Sequence, residues 1–323
     1  MTDPYQNKPL IPMQQTDKYA LGCRLPLNDW LLLNEKLVFE NAALREYVAP
    51  FPPKELMVVT SGLDYEEGFA AHGCHFFKAL AEASPVSLLA YKHILDFGSG
   101  SGRLARMFKG HPGKLTGCDI DFRLVDWVKK NLTYMDVHLT KVNPPLPFGK
   151  NEFDAIISIS IFTHLNEESQ HKFLEELWRI GNPEGYIFLT VHGQRALDRA
   201  QNEPEIWNMI SVDQALFQRA LKAFNQGEYA FILQNGHLTT TGAKPEPAVR
   251  PGILGKIMRA LRGNGTTVPA TSNHIISEAY EYGITFIPES YIYSTWSKWF
   301  TVVDYRSGAL HDFQDIVVLK PKK

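Results

Sequence analysis

The sequence predicts an α/β chain built on a doubly wound, mostly parallel sheet. Three observations lead there. Between His93 and Gly193 short apolar runs alternate in strict turn with amphipathic ones, the rhythm of a parallel sheet covered on both faces. A glycine run, "GSGSG", stands where the first strand gives way to the next amphipathic stretch, in flanks too apolar and periodic for a flexible linker. The sheet pattern then returns near the end, in "SKWFTVVDYR" and "FQDIVVLKP".

Taken in order, the chain opens with a Pro- and Gln-rich start and an apolar helical segment, "NDWLLLNEKLVFENAALREYV", for which Asn28 or Asp29 is a candidate cap. "PFPPKEL" punctuates the chain, and "DYEEGFAAHGCHFFKALAEA" has Phe69, Phe76, Phe77 and Leu80 at helical spacing. Five strands follow: "HILDF", "KLTGCDI", "YMDVHLTKV", "EFDAIISISIF" and "GYIFLTVHG". Helices are expected over "GRLARMFKG", "FRLVDWVKKNL" and "NEESQHKFLEELWRIG", the last capped by Asn166 with Glu167 and Glu168 in its first turn. From Gln194 to Tyr293 the rhythm breaks. That stretch holds a helix ("SVDQALFQRALKAFNQG"), a Gly/Pro/Thr-rich run and a basic amphipathic segment, residues 253–262. The expected organisation is an N-terminal helical extension (1–85), a first core segment (86–193), an insertion acting as a lid (194–293) and C-terminal strands that complete the sheet (294–323).

Composition narrows the function classes. The 323 residues carry a formal net charge of -2, with 44% hydrophobic and 21% charged residues, so nothing electrostatic calls for nucleic acid. Three cysteines, Cys23, Cys74 and Cys118, suit reduced thiols in the cytoplasm better than a disulfide framework. The start lacks the pattern of a signal peptide, and no apolar run approaches the roughly 20 residues of a membrane helix. The basic segment 253–262 could give a weak membrane-surface contact, although packing its apolar stripe on the body is the commoner use.

The glycines decide the chemistry. A strand ending near Asp96, then Gly98, Gly100 and Gly102, is a tight turn in which glycine permits positive φ and lets a ligand approach the backbone. A helix expected after it would add unsatisfied amides and a partial positive charge. Dinucleotide enzymes want Gly-x-Gly-x-x-Gly. Here the third glycine comes one place early and Arg103 stands where the last glycine would be. Asp-x-Gly-x-Gly-x-Gly resembles motif I of the class I S-adenosylmethionine (SAM)-dependent methyltransferases. The resemblance continues through "LTGCDID", "LPFGKNEFDAIISISIFTHL", "LWRIGNPEGYIFLTVHG" and the tail from Tyr282 to Lys320. It departs at Asn182–Gly185, where Pro-Gly-Gly is commoner and only a different turn is expected.

That resemblance implies a seven-stranded sheet of order 3-2-1-4-5-7-6 with the last strand antiparallel, and SAM as cofactor. Asp96, Gly98, Gly100 and Gly102 would pack on its amino-acid end, the carboxylate facing amides and the ammonium facing acids. Asp119 would hold the ribose hydroxyls and Ile120 would pack on adenine, while Asp121 is more simply a helix cap. Ser160 and Phe162 would line the methionine. Asn143 stands in for the acid often found near the adenine amino group. His192, at the carboxyl end of the fifth strand, and His164, just after the fourth, are candidate bases, although either could simply shape the pocket. His311 is a third. Tyr282, Tyr291, Tyr293 and Trp296 could wall the substrate, core packing being their simpler role. "NPPL" at Asn143 differs in place and residue from the motif of amino-methylating enzymes and is taken as a turn. His72, Cys74 and His75 could suggest metal, but their spacing on one short helix gives at most two well-placed ligands; a helix packing near the cofactor is the commoner use, and no metal is expected. The expected activity is methyl transfer from SAM to a small molecule, a hydroxyl of a sugar or secondary metabolite. The alternatives are an NAD-dependent oxidoreductase and a non-catalytic scaffold of the same fold.

Overall fold

The computed structural model describes residues 22–234, 238–240, 273–276, 278 and 280–323. The amphipathic stretch 253–262 lies outside the described residues. Five parallel strands form the centre: β1 (His93–Phe97), β2 (Lys114–Asp119), β3 (Met135–Leu139), β4 (Phe153–Ser158) and β5 (Gly181–Val191). Four short strands follow, β6 (Ala230–Leu233), β7 (Leu238–Thr240), β8 (His274–Ile276) and β9 (Gly283–Phe286). The hairpin of β10 (Phe300–Leu310) and β11 (Gln314–Pro321) then inserts at the sheet edge, β11 antiparallel to β5. The resulting seven-stranded sheet runs β3-β2-β1-β4-β5-β11-β10. Counted along the sheet strands alone this is 3-2-1-4-5-7-6, the expected order with the seventh strand reversed. The reversal of order beside β1 opens a crevice at the strands' carboxyl ends, where such sheets bind ligands.

Side-chain alternation covers both faces. Ile94, Ala155, Ile157, Ile316 and Val318 belong to one buried cluster, which also takes Phe76, Leu80, Val125 and Val128. Their neighbours Leu95, Ile156, Val317 and Leu319 belong to the other, with Phe173, Leu174, Leu177 and Trp296. Each fully buried Val, Leu, Ile or Phe side chain among them contributes on the order of 1.5–3 kcal/mol. The covering helices start where the caps predict. Asp121 accepts from the Arg123 amide ahead of the helix Phe122–Asn131 (α5), and Asn166 accepts from Ser169 N–H ahead of the helix Glu167–Ile180 (α6). The Asn182–Gly185 departure becomes a bulge. Phe153 pairs with Gly181 while Ala155 already pairs with Tyr186, and the Glu184 amide folds back onto Asn182 Oδ1.

Two expectations about helices change. The first segment begins at Leu27, preceded by Pro26, so Asn28 and Asp29 lie inside its first turn and do not cap it. It runs as α1 (Leu27–Leu32), a π turn (Leu33–Leu37) and a short α2 (Val38–Glu40). Two helices follow before the sheet, α3 (Lys54–Ser61) and α4 (Glu66–Ala83). The stretch "GRLARMFKG" is not an α-helix. Gly102 sits at φ 85°, and only a 3-10 turn forms, over Ala105–Phe108. An amphipathic helix needs a wet face, and this segment has none: Leu104, Ala105, Arg106, Met107 and Phe108 are all buried. The N-terminal extension covers what would have been the polar side. Arg106 donates to the carbonyls of Ala49 and Pro50 and lies 3.6 Å from the Phe51 ring centre, and Trp30 Nε1 donates to the Met107 carbonyl.

The stretch between β5 and β10 has a small core of its own. Helices α7 (Gln194–Asn202), α8 (Pro204–Ile210) and α9 (Gln214–Asn225) pack with the antiparallel pair β6–β9 around Leu197, Phe217, Phe224, Ile284 and Phe286, and this core reaches Phe313 between β10 and β11. A last helix, α10 (Glu289–Thr295), leads into β10. Among the described residues, no helix is long and apolar enough to cross a membrane.

Candidate functional site

A cavity of about 650 Å3 opens at the carboxyl ends of β1, β2, β4 and β5. Its floor is the glycine turn. Gly98 and Gly100 hold φ of 79° and 55°, and a Cβ on Gly100 would stand 2.6 Å from the Thr60 methyl. The turn is held from within. Gly98 and Ser99 amides donate to the Cys118 carbonyl, Gly102 to Ser99, Ser101 to Thr60 Oγ1 at 3.0 Å, and Gly100 to Asp119 Oδ2 at 2.8 Å. All five amides from Gly98 to Gly102 are therefore committed. The expected role of these amides as donors to a ligand carboxylate is corrected accordingly, as is the helix N-terminus expected behind them. The same facts leave a pyrophosphate without its usual seat, since that group needs amides at a helix start.

The acids at the cavity are aimed and strained. Asp119 Oδ1 accepts from the Asp121 amide at 2.9 Å while Oδ2 takes the Gly100 amide. A carboxylate has about four lone-pair sites, so two stay available for a vicinal diol. Burial raises Asp119, against the pull of His274 and of the two amides. Asp96 is 3% exposed, and its Oδ2 has no partner. Burial first, and then the Asp119 charge, push it up to about 7, with Arg103 opposing. Ser99 Oγ is likewise buried and unpartnered. Buried polar atoms of this kind call for a partner, whether water, an ion or a ligand, and both residues line the cavity. A cationic group beside Asp96 and a diol at Asp119 would satisfy this end.

Across the cavity, two histidines hang from one short strand. His164 Nδ1 donates to the Gly283 carbonyl at 2.7 Å, and its ring stacks on Tyr282 at 4.6 Å. His192 Nδ1 donates to the Thr285 carbonyl at 3.1 Å. Both carbonyls belong to β9, whose amides bond back to the loops carrying the histidines: Gly283 to His164 O, Thr285 to Thr163 O, with the Ile287 amide just beyond bonding His192 O. A carbonyl only accepts, so Nδ1 of His192 carries the proton and Nε2 keeps its lone pair. Burial pushes His192 down to about 3, helped by His164. The ring is neutral throughout the working pH range.

Of the sequence-predicted residues, Asp96, Gly98, Gly100, Asp119, Ile120, Ser160, His164 and His192 all line this one cavity. Ser160 does so from a positive φ of 61°, its amide bonded to Thr190 Oγ1 and its hydroxyl to the Gln314 side chain. Three are not brought to it. Gly102 lies beneath the turn, where a Cβ would stand 2.5 Å from Leu132 Cδ1. Phe162 is buried against Trp296, in the core on the far side of its loop. Asn143 is exposed, and Thr140, Lys141 and Val142 line the cavity in its place. Tyr282 joins the wall, whereas Trp296 is core and Tyr291 bonds His171 and Glu167 outside it. Asp121 does cap its helix, and also receives the Ile275 amide, tying β8 to the Asp119 end of the cavity.

Sequence reasoning missed several groups. Thr60, at the end of α3, anchors the glycine turn, and its signal was "TSG" before a stop. The strand β9 orients both imidazoles but reads in sequence only as a short Gly-Ile-Thr-Phe run. Cys74 of the His72–His75 quartet faces the Leu31 carbonyl and Met107 sulfur. Among the described residues no three metal-ligating side chains converge, and all three cysteines are buried and free.

Comparisons with known proteins bear on the fold that carries this site. The family model described as "Methyltransferase domain" matches residues 95–189, from β1 through most of β5. The crystal structure of the PH0226 protein from Pyrococcus horikoshii OT3 is similar over 82% of this chain and 96% of its own, with a TM-score of 0.51 and 11% identity; that likeness establishes the fold. Human N-acetylserotonin methyltransferase in complex with SAM is similar at a TM-score of 0.44 and 15% identity, over 93% of this chain and 67% of its own. The glycopeptide N-methyltransferase MtfA with SAM is similar at 0.41 and 12%, over 78% and 94%.

Proposed function

We propose that this chain is a SAM-dependent methyltransferase that moves the methyl group to a hydroxyl of a small molecule, a sugar or secondary metabolite, in the cytoplasm. One observation carries the reading: Gly100 presents its amide to Asp119 beside the unpartnered Asp96, across one cavity from the neutral His192. Asp119 takes the ribose hydroxyls, Ile120 the adenine face and Asp96 the ammonium. SAM supplies an activated methyl on a sulfonium; the protein aligns the acceptor in line with it and keeps water out. Such positioning provides about 7–11 kcal/mol of a barrier of this kind. His192, and His164 beside it, receive the proton that the hydroxyl loses. Support for a small acceptor comes from the cavity itself, which is walled by Tyr280, Tyr282 and Ile210 from the stretch after β5 and by Phe76 from α4.

The competing dinucleotide reading makes a different forecast in a single titration. S-adenosylhomocysteine (SAH) should bind with a Kd in the micromolar range by calorimetry, and NADH should give no saturable heat. Saturation by NADH without SAH binding would reverse the assignment.

Asp96 adds a pH signature. In the free protein it holds a proton below about pH 7, and an adjacent ammonium favours the carboxylate. Binding then releases a proton, so SAH affinity should rise with pH between 5.5 and about 7 and level off above it, by at most about tenfold per pH unit. Asp96→Asn should bind more weakly, with a flatter pH profile. A wild-type profile as flat as the variant's would remove Asp96 from the ammonium site.

A further inference from the structure

Two cationic side chains in the cavity have no use in the mechanism above, the exposed Lys141 and the half-buried Arg103. Arg103 lines it, 4.5 Å over the Phe76 ring. Among the described residues, neither a salt bridge nor a hydrogen bond engages its guanidinium, whereas Arg199, also at the wall, is satisfied by Glu203 and by the carbonyls of His311 and Asp312. Two imidazoles accompany Arg103. His72 comes from α4 and His311 from the turn between β10 and β11, with their ring centres 4.4 Å apart. His72 Nδ1 is buried without a partner, and no hydrogen bond engages the His311 ring among the described residues. Both rings line the same cavity.

We infer that Arg103, His72 and His311 form an anion-binding corner, and that the methyl acceptor carries an acidic group, a carboxylate or phosphate monoester, that docks there. The inference rests on the methyltransferase reading and names its substrate class. Asp96 and Asp119 belong to the glycine-turn side of the cavity, and Arg103, although it feels the Asp96 charge, lies over Phe76 of α4 with His72 and the hairpin's His311 beside it. Arg103 is joined to Asp96 by no hydrogen bond or ion pair, and a guanidinium so placed away from bulk water gains from a bound anion. Its fork and its stack on Phe76 suit bidentate grip of a carboxylate or phosphate. Burial, reinforced by Arg103 and by the neighbouring imidazoles, lowers His72 to about 3 and His311 to about 4. An anion among the three groups would reverse those shifts. It would also complement the sulfonium at the other end, holding an acidic acceptor between two positive charges.

The same guanidinium could instead meet the carboxylate of SAM itself, since the turn's amides are committed. Calorimetry on the full chain separates the two sources. The probes are inorganic phosphate, added with and without SAH, and the pair SAH and 5′-methylthioadenosine, the same nucleoside without the amino-acid end. Wild-type protein should bind phosphate with a millimolar Kd in both conditions. Arg103→Met should weaken phosphate at least 10-fold and change SAH less than 3-fold. His72→Phe, which keeps the guanidinium, should weaken phosphate about 3- to 10-fold and covers the case in which Arg103→Met does not fold. If Arg103→Met weakens SAH 10-fold or more while 5′-methylthioadenosine binds as before, the guanidinium serves the cofactor's carboxylate and the acidic-acceptor inference is overturned. Phosphate affinity that is absent, or equal in all three proteins, overturns the corner as well. Failure of the wild type to bind SAH would count against the methyltransferase reading alone, because phosphate without SAH still reports on the corner.

Discussion

Gly100→Asp is expected to weaken SAH binding by at least about 100-fold, close to 3 kcal/mol at about 1.4 kcal/mol per decade. Three effects act together. At φ 55° any residue with a Cβ is strained, by about 1–3 kcal/mol. That Cβ would lie 2.6 Å from Thr60 Cγ2 and 3.1 Å from its Oγ1, so the Thr60–Ser101 contact that pins the turn has to give. The new carboxylate would also be a third acid in a place where burial already raises Asp96 and Asp119, and the Gly100 amide that aims Asp119 would shift. Gly100→Ala separates the shares, since it keeps the strain and the clash without the charge; an intermediate loss is expected. Calorimetry with SAH, beside a thermal melt showing a folded variant, checks the result. Wild-type affinity in a folded Gly100→Asp protein would show that the ligand does not sit on this turn.

Asp119 and Gly100 were legible as a pair because a tight turn and an acid ending the next strand are local patterns, each set by a few adjacent residues. The strand order was legible for the same reason: alternation at Ile94–Leu95 and Ile156–Ile157 requires cover on both faces, and the family resemblance supplied the order. What stayed hidden depends on contacts distant in sequence. "GRLARMFKG" has a helix-like pattern, but the N-terminal extension folds over its arginine side, and Arg106 ends on the carbonyls of Ala49 and Pro50, more than fifty positions away. Phe162 and Ser160 are two residues apart, yet the positive φ at Ser160 turns one to the cavity and the other into the core. No local signal distinguishes them. The role of β9 is hidden for the same reason, because its carbonyls at Gly283 and Thr285 find His164 and His192 across 119 and 93 positions. Asn143 failed for a simpler reason: it was a stand-in for a missing acid, and the chain turns it outward.

His192→Ala is expected to lower methyl transfer by about 10²–10⁴-fold, the usual share of a general base, while SAH affinity changes less than about 3-fold. A base held at about 3 looks too weak to deprotonate an alcohol, and before methyl transfer it would be. The acidity of the acceptor changes during the reaction. As the oxygen takes the methyl it approaches a protonated ether, a stronger acid than any imidazolium, so even a weak lone pair draws the proton away. What that lone pair must have is direction, and the Thr285 carbonyl supplies it by holding Nδ1–H. The depressed value has a further consequence. The ring stays unprotonated until the pH falls toward 3, so the acid limb of kcat should show no step near the ordinary histidine value of about 6.5. His192→Gln keeps a hydrogen-bonding side chain without a basic nitrogen and should be as slow as the alanine variant. Transfer of labelled methyl from SAM to an extract of the native host, with wild-type and variant protein at equal SAM saturation, reads the effect. Equal labelling by all three would reduce His192 to a wall of the cavity and leave proton removal to His164 or to solvent.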